Sequence, residues 1–322
     1  MHGMPIPVID LEEWRHGSLE DRASVAAEVD RALRESGFLL VKGHGIDRSF
    51  RERIRESARS FFALDAGLKE RYATAVGGRG WIPPGKEANT YVDGEQLPPD
   101  LKETYTSGWD QATGAPADDA EWFAPNAWPT EVPDLERLCN EYSQVMREFA
   151  TELLGLLAVA FGLEESWFSD RCNQSTHAFN INRYPALHLT GPVDEGQYRI
   201  APHTDFGTIT ILDRQAGYGG LQVYSRSDGW IDAPVVEDTY TINIGDLMAR
   251  WTGDRWASTQ HRVLPPSPEA PDEELISLIF FCEANLDHVV ESFPPPLGLP
   301  NSYLPVTTAD YLRGRINAIT VP

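Results

Sequence analysis

Residues 199–283 are a succession of short runs rich in β-branched and aromatic side chains, broken by glycines, and into them are set His203, Asp205 and His261. Such a pattern predicts strands joined by tight turns. Residues 199–212 carry few charges, as a buried strand pair does, and Gly207 sits where that pair would turn. Residues 219–223 open another strand, 241–246 end one in a turn, and 258–264 place a histidine on a further β-rich stretch.

A strand points alternate side chains to one face, so His203 and Asp205 aim an imidazole and a carboxylate at one point. His261 must be brought there by the fold. Two histidines and one carboxylate on one side of an ion, with other positions open, is the donor set of non-haem Fe(II) oxygenases. Zinc accepts the same donors. Isolated histidines such as His177 and His188 read instead as hydrogen-bonded residues.

Further motifs extend the pattern along the chain. Pro7 to Leu11, Gly37 to Ile46, Gly80 to Pro84 and Asp100 to Tyr105 precede the strands. Asn182 to Pro185, His203 to Asp205, Gly219 to Val223, Asn243 to Asp246 and His261 to Val263 follow. In order and spacing this set resembles the isopenicillin N synthase-like family of Fe(II)/2-oxoglutarate-dependent oxygenases, over nearly the whole chain. The resemblance implies a mainly β fold with flanking helices (α+β), with a double-stranded β-helix core, the distorted jelly roll of cupin-like proteins. It implies Fe(II) held by His203, Asp205 and His261, O2 as oxidant and 2-oxoglutarate as cosubstrate. It also implies hydroxylation, desaturation or cyclisation of a small molecule of specialised metabolism, with succinate and CO2 as co-products.

The chain departs from that family at one position. The family anchors 2-oxoglutarate with an Arg-x-Ser; Ser277 falls on the serine, but Leu275 falls on the arginine. A guanidinium grips a carboxylate through two charge-assisted hydrogen bonds. Removing one partner of a buried ion pair costs about 3–5 kcal/mol, roughly a hundredfold to a few thousandfold in affinity. Either another arginine substitutes, or the enzyme is an isopenicillin N synthase-type oxidase that does not use 2-oxoglutarate and lets Leu275 join an apolar wall. Parity favours Arg199, which shares a face with residues 201 and 203 if that strand is regular. Arg183 and Arg262 have the wrong parity, and turns separate Arg214 and Arg250 from any reference residue. Asn182 and Tyr184 match the family's Asn-x-Tyr and remain, with Ser277, as cosubstrate partners, which favours continued use of 2-oxoglutarate. A catalytically silent jelly-roll binding protein is a third reading, which the intact triad opposes.

Net charge is 27 minus 49, or −22, which opposes binding to nucleic acid. It would steer a cationic substrate inward, although solubility or a salt-rich habitat is the preferred explanation. No secretory signal is visible, and the apolar run Leu153 to Leu163 is too short to span a bilayer. Three cysteines without a C-x-x-C fit a reduced, cytoplasmic setting. The expected organisation is one oxygenase domain, 1–322, acting as a monomer or weak homo-oligomer on a small molecule, away from membranes. Within it, 1–128 is an N-terminal helical and loop region, 129–175 holds backing helices, 176–290 is the jelly-roll core and 291–322 is a C-terminal helix and tail. Ser18 and Asp47 cap the first helices, and a long helix covers 130–162. Loops over 77–128 form a rim from which Trp81, Tyr91, Tyr105 and Trp109 either face substrate or pack beneath. Thr308 caps a last helix, running to Ile316, that closes over the substrate mouth.

Overall fold

The computed structural model describes residues 6–88, 98–111, 116–217 and 220–319. Its first half contains β1 (Val8–Asp10), α1 (Leu11–His16), α2 (Leu19–Glu35), β2 (Phe38–Lys42), α3 (Arg48–Phe62), α4 (Ala66–Lys69), β3 (Gly80–Ile82), β4 (Glu103–Gly108), α5 (Pro116–Trp122) and α6 (Asp134–Phe161). Next come β5 (His177–Tyr184), α7 (Leu187–Thr190), β6 (Ile200–His203), β7 (Ile209–Asp213), β8 (Leu221–Ser225), β9 (Gly229–Asp232) and β10 (Tyr240–Ile244). The last part holds α8 (Asp246–Trp251), β11 (His261–Val263), β12 (Leu275–Cys282), β13 (Val289–Val290), β14 (Val306–Thr307) and α9 (Thr308–Ile319).

Local chemistry accounts for the helices. Ser18 and Asp21 exchange side-chain and backbone hydrogen bonds in a full capping box at the start of α2, and Asp47 accepts from the Ser49 amide at the start of α3. The long helix begins at Asp134 rather than 130, because Pro129 and Pro133 precede it and Pro133 occupies its N-cap. Gly162 ends it with φ of 97°, a left-handed conformation that favours glycine. Leu135, Leu138, Tyr142, Met146, Phe149 and Leu153 form its buried stripe. Each large apolar side chain so buried contributes about 1.5–3 kcal/mol.

An eight-stranded sheet runs in the order β1-β2-β10-β7-β12-β5-β4-β3, and a four-stranded sheet in the order β6-β11-β8-β9. Only β1 and β2 pair in parallel; the other ladders in these sheets are antiparallel. This is the expected mainly β, jelly-roll core with flanking helices. The N-terminal region is more deeply woven into it than expected, since β1 to β4 all belong to the large sheet.

The stretch read as rim loops differs most. β4 lies beside β5 along its whole length, and α5 falls where loop was expected. Trp81 and Tyr105 pack inside: Trp81 Nε1 donates to Glu103 Oε2 at 2.7 Å, and Tyr105 donates to the Ala127 carbonyl at 2.6 Å. Trp109 stacks against Arg147, 3.7 Å from its ring centre. Tyr91 lies outside the described residues. Among the described residues, the aromatic side chain of this stretch that does line the cavity is Trp122, at the end of α5. Thr307, not Thr308, caps α9, accepting from the Asp310 amide at 3.2 Å. All three cysteines are buried and free, and among the described residues no helix is long and apolar enough to cross a membrane.

His177, at the start of β5, stacks on Phe280 with centroids 4.9 Å apart and meets Arg147 Nη1 at 3.4 Å. Burial, with Arg147 and Arg79 adding to it, holds its pKa down to about 3. The unfolded chain therefore takes up this proton first, at its ordinary value near 6.5. Stability from this group is complete above that value and declines as pH falls toward the folded value. Between pH 7.5 and pH 5 the loss is about 2 kcal/mol. Urea unfolding of His177→Gln is expected to show a pH 7.5-to-5 difference smaller than wild type by that amount; an unchanged difference would refute the assignment.

Candidate active site

A cavity of about 250 Å³ is lined by residues of both sheets and of α9. His203, at the end of β6, is paired with His261 of β11, so the two imidazoles stand side by side with centroids 4.3 Å apart. Asp205 lies beyond the end of β6 rather than on it, because the chain is already bending toward Gly207. The Asp246 amide donates to its carbonyl at 2.7 Å and holds the bend. The carboxylate nevertheless reaches the expected point. Its Oδ1 is 3.6 Å from His203 Nε2 and 3.7 Å from His261 Nε2, and the three donor atoms lie within 4.8 Å of one another.

Each donor is oriented by a second contact. His203 Nδ1 donates to the Ala201 carbonyl at 2.8 Å, and His261 Nδ1 to the Thr259 carbonyl at 3.1 Å. A carbonyl can only accept, so the proton sits on Nδ1 in the neutral ring and the Nε2 lone pair faces the cavity. Asp205 Oδ2 accepts from Thr210 Oγ1 at 2.5 Å and from Asn243 Nδ2 at 2.6 Å, which leaves Oδ1 for an ion. Burial, with His203 adding to it, holds His261 down to about 4, so it is neutral at physiological pH. Burial opposes ionisation of Asp205, but His261, His203 and Asn243 outweigh it and lower its pKa. Burial opposes protonation of His203, but Asp205 outweighs it and raises its pKa, so an ion would displace that proton; two imidazoles and one carboxylate oxygen with open positions fit a divalent iron.

Asp246 ties this centre to α9. Its Oδ1 accepts from Ser258 Oγ at 2.6 Å, and its Oδ2 accepts from Thr204 Oγ1 at 3.2 Å and pairs with Arg315 at 2.9 Å. Leu312 and Ile316 of α9 line the cavity, as expected of a helix over its mouth.

The proposed cosubstrate residues fall on two paired strands. Tyr184 is opposite Leu275 and Asn182 opposite Ser277, and all four line the cavity. Burial raises the Tyr184 pKa, while Asn182, Lys102 and Ser277 beside its hydroxyl oppose that. Arg199 does not meet its expectation. Its guanidinium lies 3.0 Å from Glu273 and 5.9 Å from the centre of the Tyr184 ring, and it does not line the cavity. The reason is a register break: His203 pairs with His261, but Ile200 pairs with Val263. One extra residue on β6 ends the alternation on which the parity argument depended.

The other cations divide clearly. Lys102 lines the cavity but is 2.6 Å from Glu87, and Arg183 bridges Glu103 and Glu274 at 2.7 and 2.5 Å. Arg214 lines the cavity and, among the described residues, has no carboxylate within ion-pair distance. Its Nη2 donates to the carbonyls of Ala233 and Pro234 at 2.9 and 2.5 Å, and burial pulls its pKa down to about 10. Thr210, Leu212 and Arg214 share the cavity face of β7 and its extension. Asp213 pairs with Leu278, so the next position along sets Arg214 abreast of Ser277. Parity counted from Thr210 would have found it.

Residues 6–131 match the family model for the N-terminal region of the non-haem dioxygenase in morphine synthesis, and residues 175–284 match that of the 2OG-Fe(II) oxygenase superfamily. The validamycin A dioxygenase of Streptomyces hygroscopicus subsp. limoneus is 42% identical over 294 residues, covering 91% of this chain and 80% of that protein. The 2-oxoglutarate-dependent dioxygenase traH of Penicillium crustosum is 32% identical over 266 residues, 80% of this chain and 79% of its own. Among solved structures, a full-length Neurospora crassa protein in complex with alpha-KG matches with a TM-score of 0.83 and 28% identity, covering 97% of this chain and 96% of that one.

Proposed function

Because this chain belongs to the 2OG-Fe(II) oxygenase superfamily and is a 2-oxoglutarate-dependent dioxygenase acting on a small molecule, we propose that His203, Asp205 and His261 hold its Fe(II), and that Arg214 holds the far carboxylate of 2-oxoglutarate. The 2-oxoglutarate-dependent relatives argue against the oxidase alternative, and the intact donor set argues against the silent binding protein. The observation that carries the assignment is the convergence of Nε2, Nε2 and Oδ1 within 4.8 Å, on a cavity that also presents Ser277 and Arg214.

When bound, Fe(II), 2-oxoglutarate and O2 supply an oxidant able to take hydrogen from an unactivated carbon. The protein residues do the positioning. Thr210 and Asn243 orient Asp205, and the Ala201 and Thr259 carbonyls fix the imidazoles. Tyr184, Asn182 and Ser277 offer hydrogen bonds to the cosubstrate, and Arg214 takes the role the family gives to an arginine at position 275. Leu312 and Ile316 of α9 limit the access of water. The inclusion of β1 to β4 in the large sheet supports a chain that works as one oxygenase domain. The net charge of −22 supports small-molecule partners over nucleic acid.

The 42% identity to a validamycin A dioxygenase makes validamycin A the first substrate to offer. Fe(II), 2-oxoglutarate and O2 together are expected to yield succinate, with an oxidised product formed in equal amount when validamycin A is the substrate. Succinate formation that is independent of Fe(II) would sink the proposed chemistry. Succinate without oxidised validamycin A would leave the chemistry standing and exclude that substrate.

A further inference from the structure

Alternate residues of β12, Leu275, Ser277, Ile279 and Phe281, line the cavity, and the row continues past the strand to Glu283. Phe281 pairs with Thr210, the residue that holds Asp205. Ser277 and Glu283 therefore lie on opposite sides of the metal ligands along this row. The cosubstrate groups occupy one side, and Glu283 stands on the other.

Glu283 is an unusual group to find there. It is only 8% exposed, and its Oε2 is sealed from water without a hydrogen-bond partner among the described residues. The Thr208 amide, 3.3 Å from the Cys282 carbonyl, also donates toward the Glu283 carboxyl, and Oε2 is the oxygen left over. No ion pair reaches Glu283 among the described residues, and it stands outside the cluster able to hold a metal ion. Arg79, a cation that also lines the cavity, is directed to the Trp122 carbonyl at 2.9 Å and to Thr176 Oγ1 at 3.5 Å. Room for the carboxylate depends on Gly207: a Cβ there would stand 2.1 Å from Oε2. Two more polar atoms of the wall share its condition. Thr106 of β4 and Asn180 of β5 are paired, both line the cavity, and Thr106 Oγ1 and Asn180 Oδ1 are buried without partners among the described residues.

Buried polar groups are almost always satisfied, and exceptions in a cavity point to a missing partner. Burial and the nearby Asp205 push the Glu283 pKa up to about 8, so without a partner the carboxyl is held neutral, and a cation beside it would favour its ionised form. We propose that the substrate is a polyhydroxylated amine, whose ammonium group pairs with Glu283 and whose hydroxyl groups bond to Asn180 and Thr106. The acidic surface of the molecule would draw such a cation inward. This proposal rests on the dioxygenase reading above.

The test is binding to the full-length protein loaded with Fe(II) and 2-oxoglutarate, without O2, by calorimetry at pH 7. The probes are aminocyclitols, each paired with the cyclitol that carries a hydroxyl in place of the amine. Wild type is expected to prefer the amine member of at least one pair by about tenfold or more, as a desolvated ion pair requires. Glu283→Gln should reduce that preference to within about twofold, while Glu283→Asp retains part of it. The melting temperature, and its rise with 2-oxoglutarate, report that each variant is folded. Equal or better binding of the neutral members, an undiminished preference in Glu283→Gln, or no binding of any probe would overturn the proposal. If 2-oxoglutarate itself fails to bind the Fe(II) protein, the fault lies with the dioxygenase reading. If it binds and no amine preference appears, only the role of Glu283 falls.

Discussion

Replacing Arg214 with leucine is expected to raise the dissociation constant for 2-oxoglutarate roughly a hundredfold to a few thousandfold, the penalty for leaving a buried carboxylate without its cation. The measurement is an anaerobic titration of the Fe(II) protein, followed by the visible charge-transfer band of the chelated keto acid. Arg214 is singled out because Lys102, Arg183 and Arg199 each already neutralise a glutamate. Recruiting any of those three would strand that glutamate in a half-buried or buried site. Position 275 offers an internal control. Leu275 also lines the cavity, and Arg214 stands abreast of Ser277, two residues along β12. The double variant Arg214→Leu, Leu275→Arg should recover most of the lost affinity, since it returns a guanidinium to the same end of the cavity. A single variant that binds 2-oxoglutarate as wild type does would remove Arg214 from the cosubstrate site.

His261→Ala is expected to abolish retention of Fe(II) through desalting and, with it, 2-oxoglutarate turnover. Two of the three donors cannot reproduce a facial set. A graded result should come from Asn243→Ala. That change leaves all three donors and removes one of the two hydrogen bonds on Asp205 Oδ2. Its expected cost is about 10–100-fold in Fe(II) affinity, typical of residues that orient a ligand. Full iron binding by His261→Ala would overturn the triad. Unchanged affinity in Asn243→Ala would mean that Thr210 orients the carboxylate unaided.

Residues that act through local geometry were legible in the chain. Ser18 with Asp21, and Asp47 ahead of α3, announce their helices through hydrogen bonds that span three residues or fewer. The stripe from Leu135 to Leu153 announces α6 by its period alone. His203, Asp205 and His261 could be nominated together because a metal needs that combination of donors, and few other needs place them in such a setting. The loss of the family arginine at Leu275 was equally visible, since it is a change of residue type at a matched position.

Tertiary structure decided which residues are placed to answer that loss. The choice of Arg199 assumed an unbroken strand, and the extra residue on β6, together with Glu273, removed it. Trp81 and Tyr105 looked available for substrate because glycine- and proline-rich sequence surrounds them, yet β3 and β4 carry them into the large sheet. The roles proposed for Arg214 and Glu283 depend on what, among the described residues, does not surround them: a carboxylate for the first, any partner for Oε2 of the second. The chain alone determined the kind of core, the metal donors and the missing anchor, because each is written in residue type and short-range spacing. Only the folded structure decided which charges stand unpaired in the cavity, because pairing depends on long-range neighbours that no local pattern encodes.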